Sequence, residues 1–389
     1  MPPSWSGQAV LIRRLLTGLD PRAYCLLTSD QGRYGSEHTE PLATRYHRLP
    51  AVKTRYASRD NKWLYGASAL LGAATGILRR AVAITRAARR ERCERIVAFT
   101  GDFHDLPAAF VASRVLRVPL YVYMCDYYSH RELYEPAWRR LSPSIERVVV
   151  RGAERVVCGT DTLADALAQR YGIAPAVIHH PADLTLYRDG VRAEPDAAEL
   201  AIVYTGTIYD AQLDAVQNLL AALERPEAPA ARLHVYSGQS EANLAARGLT
   251  GRIAIHPHLP APEIAAAQLA AGVLLLPLAF ASEYPEVIRT SAPMKFGEYL
   301  AAGGPILAHA PPGSFVAEYC RRHDCAVVVD EPDPARVAEA VAALARDPAL
   351  RARLVANARE RAATDFSIEV AHARFAEVLA LEPMPEQVA

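Results

Sequence analysis

The constraint that narrows this chain most is its rhythm. Short β-rich apolar runs alternate with helical stretches from one end to the other, the pattern that produces parallel sheets with helices on both faces. In the first half the runs fall at 24–28, 95–99, 120–123, 155–158 and 176–179. Most are nearly continuous in apolar residues, as strands buried on both faces require. In the second half they fall at 200–204, 233–236, 253–255, 273–276, 306–308 and 326–329. Helices are expected at 213–223, 262–269, 293–302, 334–345 and 348–362. The last two each open on Asp-Pro, a start signal that uses proline's tolerance of a first helical turn. A final amphipathic segment at 368–381 would cover apolar surface.

A polar stretch at 186–199 (LYRDGVRAEPDAAEL without its last residue) carries Gly190 and Pro195 and no apolar periodicity, so it reads as a linker. With 389 residues the chain is long enough for two cores. The expected organisation is an N-terminal α/β domain at 1–185, the linker at 186–199, a C-terminal α/β domain at 200–366, and a closing helix and tail at 367–389. No fixed-period repeat is visible, which sets aside solenoids and propellers.

Acidic and basic residues balance at 43 each, so no global field favours nucleic acid as a partner. The six cysteines are scattered without a C-x-x-C pair or metal spacing, the look of reduced intracellular thiols, although Cys320 and Cys325 are close enough in sequence to bridge. No basic region followed by an apolar core opens the chain, and a cytoplasmic location is expected. The low-charge run at 63–78 falls short of a bilayer span, and no transmembrane segment is expected. Its continuation is rich in arginine. Two readings stand: a buried domain helix with a solvated basic end, which we favour, and a surface helix touching anionic lipid at the inner face of the membrane.

Doubly wound sheets bind ligands outside the carboxyl ends of their strands. Two strand ends in the second half carry glycine, at Gly206 followed by Thr207, and at Gly238. The richer segment is 289–307, RTSAPMKFGEYLAAGGPIL, in which Pro293 near a helix start and Gly303 and Gly304 at its end define a helix running into a strand. Lys295 and Glu298 lie one turn apart near that start, where an exposed ion pair would be worth little. Of the 43 basic residues only Lys53, Lys62 and Lys295 are lysine. In a chain that writes nearly every positive charge as arginine, a lysine beside a helix start points to a compact charge facing a phosphate.

This segment resembles the donor-site signature of the family 4 glycosyltransferases, in which two glutamates with seven residues between them precede an A-x-G-x-P turn. Glu298 matches the second glutamate, which in that family binds the nucleotide ribose, and Thr290 stands where the first would be. Further likenesses cover most of the chain. Around Gly7 the sequence resembles the family's N-terminal glycine loop, His104 falls where an N-domain histidine contacts the reacting sugar, and Asp126 matches an aspartate at a strand end. The stretch 177–184, with His180, is similar to the segment before the hinge, and the tail to a helix crossing back onto the first domain.

The resemblance implies a GT-B fold, two Rossmann-like domains facing a cleft. It implies a retaining transfer from a nucleotide-diphosphate-sugar donor to a glycan, lipid-linked or small-molecule acceptor, with no metal or other cofactor. Lys295, Arg289 and His104 would act on the reacting groups. Gly7, Gly206, Thr207, Gly238, Thr290, Ser291, Met294 and Glu298 would hold the donor. Two departures accompany it. The basic pair that usually follows the first C-domain strand is absent from GTIYDAQL at 206–213, and the chain begins at the glycine loop without the β-strand that should precede it: either the true start lies upstream or the N-domain sheet lacks an inner strand. A nucleotide-sugar epimerase and a non-catalytic binding homologue remain as alternatives on the same fold.

Overall fold

The computed structural model describes residues 2, 6–28, 41–52, 61–130, 136–188 and 199–380. They form two compact units, the first comprising the chain up to Ile178 and again from Ala373, the second His179–His372. The division falls at 178/179 rather than after 185, and most of the expected linker lies outside the described residues.

The first unit contains, in order, α1 (Gly7–Leu16), β1 (Cys25–Thr28), β2 (Arg45–Arg48), α2 (Lys62–Arg90), β3 (Ile96–Phe99), α3 (Asp105–Leu116), β4 (Leu120–Met124), α4 (Pro136–Gly152), β5 (Arg155–Cys158), α5 (Asp161–Tyr171) and β6 (Ala176–Val177). All its strand pairs are parallel, but they fall into two sheets, β1-β2 and β3-β4-β5-β6. Among the described residues no ladder joins them. The effect on burial is visible: β4 is buried throughout, whereas its neighbour β3 buries only Ala98. Cys25 and Cys93 approach to 3.9 Å between sulfurs, and all six cysteines are free.

Helix α2 departs from the favoured reading of a buried helix. Between Trp63 and Arg90 it is long and apolar enough, by length and composition, to cross a membrane. It packs instead on α3 and α4. It does so through a narrow stripe of Ala69, Ala73, Gly76, Arg80, Ala81 and Ile84, and the opposite face is exposed.

The second unit contains α6 (Thr185–Arg188), β7 (Leu200–Thr205), α7 (Leu213–Leu223), β8 (Ala231–Tyr236), α8 (Glu241–Ala245), β9 (Ile253–His256), α9 (Ala261–Leu269), β10 (Val273–Pro277), α10 (Pro285–Thr290), α11 (Lys295–Ala302), β11 (Ile306–His309), α12 (Phe315–Arg322), β12 (Val327–Val329), α13 (Pro334–Arg346) and α14 (Pro348–Asp365). The closing helix α15 (Ile368–Val378) begins here and ends within the first unit, where Arg95 donates to the Leu379 carbonyl and Arg374 to Val177 O at 3.4 Å.

Its six strands form one parallel sheet in the order β12-β11-β10-β7-β8-β9. Strands β7 and β10 are buried over nearly their whole length, because helices cover both faces. The α/β architecture with parallel sheets is as the sequence rhythm predicts. The helix expected from 293 starts at Lys295, since Pro293 and Met294 make the turn before it and Phe296 N donates to Pro293 O at 2.9 Å.

Candidate functional site

In the second unit, strand order reverses between β7 and β10: the chain winds outward from β7 through β8 and β9, then from β10 through β11 and β12. At such a switch point the two neighbouring crossovers leave on opposite faces and open a crevice at the carboxyl ends of the strands. Lys295, at the first position of α11, reaches that edge. Its Nζ sits 3.8 Å from the centre of the Tyr204 ring, a cation–π contact. Gly206, just past the end of β7, has φ +117°, and a Cβ there would lie 3.2 Å from the same Nζ. Glycine is needed at this position twice over, for the backbone conformation and for the room the ammonium occupies.

A lysine one turn from a glutamate on a surface helix would be a solvated pair of little consequence. Lys295 is not that residue. Burial pushes its pKa from the ordinary 10.5 down to about 7, with the charge of Glu298 opposing the shift. An amine on the edge between its two charge states binds an arriving anion and a proton together.

Glu298 meets Gln268 of α9, which is itself positioned by β7 and α6. Gln268 Nε2 lies 3.5 Å from its Oε2 and 3.1 Å from Thr205 Oγ1, and Tyr187 donates to Gln268 Oε1 at 2.5 Å. Thr205 N donates to the Tyr299 hydroxyl at 2.9 Å, which fixes the end of β7 to α11. Tyr187, Thr205, Gln268 and Tyr299 were not singled out from sequence. Their signal was the position of Thr205 at a strand end and of Tyr299 beside Glu298. Asp214 in α7 was also missed. Its Oδ2 accepts from Phe280 N at 2.9 Å and Ala281 N at 2.7 Å, anchoring the loop between β10 and α10.

The other expected donor residues are placed unevenly. Thr207 is exposed beside Gly206, and its carbonyl accepts from the Tyr204 hydroxyl at 2.9 Å. Gly238 lies two residues past the end of the adjacent strand β8 and is exposed, and a Cβ there would meet nothing, so glycine is not sterically required. Ser291 and Met294 are half-buried in the turn between α10 and α11. Arg289 is exposed in the last turn of α10. Thr290 faces inward: it is buried, and its hydroxyl donates to Glu286 O at 3.0 Å, which occupies the group expected to contact donor.

The missing basic pair after Gly206 has a partial substitute. Arg247 arrives from beyond α8, donating to Ile208 O at 2.6 Å and pairing with Asp210. Asp210 offsets its charge. That leaves Lys295 and the exposed Arg289 as the uncommitted candidates for a diphosphate.

In the first unit, Gly7 is exposed at the first turn of α1, capped by Ser6, whose Oγ accepts from Ala9 N at 3.3 Å. Gln8 donates to the carbonyl of Thr100 just past β3. Asp126 is half-buried in the bend after β4.

His104 lies inside the first unit. Its side chain is buried beneath α2, where a Cβ at Gly76 would lie 2.6 Å from Cδ2 and 2.9 Å from Nε2, and Trp138 packs edge-on at 5.0 Å. Nδ1 is 2.7 Å from Asp102 Oδ1, and among the described residues Nε2 has no hydrogen-bond partner. Asp102 also meets Arg80 at 3.0 Å, and Arg80, fully buried, reaches Asp105 at 2.5 Å. Burial raises the Asp102 carboxyl, but the His104 hydrogen bond and Arg80 outweigh it and hold it well below the usual carboxylate range. Burial pushes Asp105 up to about 6 in spite of Arg80. This is an interior charge network that ties α2 to the start of α3.

Residues 199–347 match a family model described as Glycosyl transferases group 1. That stretch resembles the group 1 glycosyltransferases. A D-inositol 3-phosphate glycosyltransferase 1 from Catenulispora acidiphila is 29% identical over 247 residues, 56% of this chain and 55% of that protein, so the chain spans about half the length of this curated relative. Among solved structures, the fold is similar to a sucrose-phosphate synthase from Thermosynechococcus elongatus (TM-score 0.68, 14% identity, 96% of this chain and 92% of that one). It is similar also to Anabaena HepE in complex with UDP and glucose (TM-score 0.59, 16% identity, 87% and 86%). WaaG, a glycosyltransferase involved in lipopolysaccharide biosynthesis, compares over 96% of both chains at TM-score 0.60 and 16% identity. The fold is therefore that of the GT-B glycosyltransferases, and the group 1 match supports a glycosyltransferase. Among the described residues no cluster of three or more metal-ligating side chains occurs.

Proposed function

We propose that the chain transfers a sugar, with retention and without a metal, from a nucleotide-diphosphate-sugar donor held by the second unit to a glycan, lipid-linked or small-molecule acceptor. The reading rests on one observation above others: the titration-poised amine of Lys295 packed against Gly206 at the switch point of the sheet. Negative charge builds on a departing diphosphate in the transition state, so a preorganised cation there lowers the barrier more than it strengthens ground-state binding. Arg289 adds a second, solvent-facing cation. Glu298, steadied by Gln268, accepts hydrogen bonds from the ribose hydroxyls. Backbone groups at Gly206, Thr207, Gly238, Ser291 and Met294 bound the donor. His104 and Thr290 have no part in this scheme, since both are turned into packed interiors.

The test is incubation with a panel of nucleotide sugars, UDP-glucose first because HepE is known with it, and with candidate acceptors, following release of nucleoside diphosphate in the presence of chelator. Product whose anomeric configuration matches the donor supports retention; inversion, or a requirement for metal, refutes that part. One second reading has a specific observation behind it. Thr290 replaces a carboxylate and its hydroxyl is committed to Glu286, as a donor-binding homologue without turnover would tolerate. Saturable donor binding with no product across the acceptor panel would favour it.

A further inference from the structure

The exposed side of α2 is apolar where a solvent-facing helix is ordinarily polar. Trp63 is 77% exposed, Leu71 67% and Leu78 61%, and Leu64, Leu70 and Val82 are exposed with them. At 1.5 Å per residue the stripe from Trp63 to Val82 runs about 28 Å. The exposed basic residues of the helix are Arg79, within that span, and Arg86, Arg89 and Arg90 beyond it, and among the described residues none of the four is ion-paired. The helix contains no acidic residue. The charge is not local. Of the 43 basic residues 26 lie in 1–178 with only 16 of the 43 acidic ones, so the neutral chain as a whole conceals a strongly basic first segment.

We propose that this face of α2 lies flat on an anionic lipid surface, its apolar stripe in the acyl boundary and its arginines at the phosphate level. An interfacial helix of this kind combines Trp and Leu on one side with arginine at the margin, and each basic residue near an anionic leaflet adds attraction. Charge complementarity selects the lipid over a second copy of the chain, which would bring the same arginines and the same basic segment to the contact. The helix does not cross the membrane, although its length permits it. Its opposite side is committed to α3 and α4, with Arg80 buried among Asp102 and Asp105, Trp138 Nε1 donating to Ala69 O at 3.0 Å, and Gly76 against His104. Extraction would strip that network. Docking through α2 does not depend on which reaction the chain performs.

The full chain is floated with vesicles of phosphatidylcholine alone and of phosphatidylcholine with phosphatidylglycerol, at low and high salt. The expected result is flotation with the mixed vesicles only, lost at high salt. Leu71→Glu combined with Leu78→Glu, and separately Arg86→Glu with Arg89→Glu and Arg90→Glu, should each reduce partitioning by about a hundredfold with the melting temperature unchanged, since all five side chains are exposed. Flotation equal on neutral vesicles, flotation indifferent to both sets of substitutions, or none at all would overturn the proposal. So would lipid-independent self-association abolished by Leu71→Glu, which would assign the face to a second copy.

Discussion

Replacing Lys295 by methionine keeps the stem over Tyr204 and removes only the titrating amine. In the free protein that amine has a pKa of about 7 against an ordinary 10.5. At 1.36 kcal/mol per pH unit, the net shift corresponds to on the order of 5 kcal/mol of lost preference for charge, less whatever solvent reaching the half-buried side chain restores. A diphosphate at the amine reverses that displacement. Between pH 7 and the ordinary lysine value, binding must therefore draw a proton from solution, and nucleoside diphosphate affinity falls as pH rises through that window, by up to about tenfold per unit. Below pH 7 the amine is already charged and affinity is flat. Calorimetric titration with UDP at pH 8, in two buffers of different ionisation enthalpy, should show uptake of roughly 0.9 proton by the native chain and none by Lys295→Met. The folding sign follows from the same shift. The unfolded chain binds more protons than the folded one between pH 7 and 10.5, so the lysine makes stability rise with pH across that range, and the methionine variant should lack this slope. Binding without proton uptake in the native chain, or equal uptake in both proteins, would refute the assignment of Lys295 to the diphosphate.

Glu298→Ala should weaken UDP binding by about 1.5 to 3 kcal/mol, the worth of a charged hydrogen bond; unchanged affinity in a folded variant removes Glu298 from the ribose. Gly206→Ala forces a Cβ into φ +117° and against the lysine amine, so it should cost about 1 to 3 kcal/mol in chemical denaturation together with nucleotide affinity, and a neutral outcome would mean the strand end is free to rearrange. Arg80→Met leaves Asp102 and Asp105 buried without their cation and should destabilise the first unit by about 3 to 5 kcal/mol, measurable by urea unfolding. Hydrogen exchange should find the β1-β2 ribbon less protected than the β10-β7-β8 centre of the second sheet, since a two-stranded sheet is marginal by itself; equal protection would argue that the split sheet behaves as one.

Much of this architecture is legible from pattern, and what is not has identifiable reasons. Buried parallel strands such as Leu120–Met124 and Val273–Pro277 announce themselves as apolar runs. The strand Arg45–Arg48 does not, because RYHR is half-exposed and paired on one side only, so no hydrophobic signal is imposed on it. The helix at Lys295 and its pairing with Gly206 could be anticipated in kind, from a rare lysine near a helix start and a glycine at a strand end. Their meeting could not, since it depends on which crossovers flank the switch point. Gln268 and Tyr187 carry no local mark at all; they matter through what they hold. At His104 a likeness in position carried no information on rotamer: the ring is buried and its Nδ1 faces Asp102.

That inward turn binds two distant positions into one choice. With Gly76 and His104 in contact, a methyl group at 76 would stand 2.6 Å from the ring, so a relative carrying alanine at 76 must carry something smaller than imidazole at 104, or shift α2 to accommodate both. Substitutions at the two sites should then rise and fall together across homologues. A histidine recurring at 104 would then go with glycine at 76, a record of how closely α2 approaches that ring.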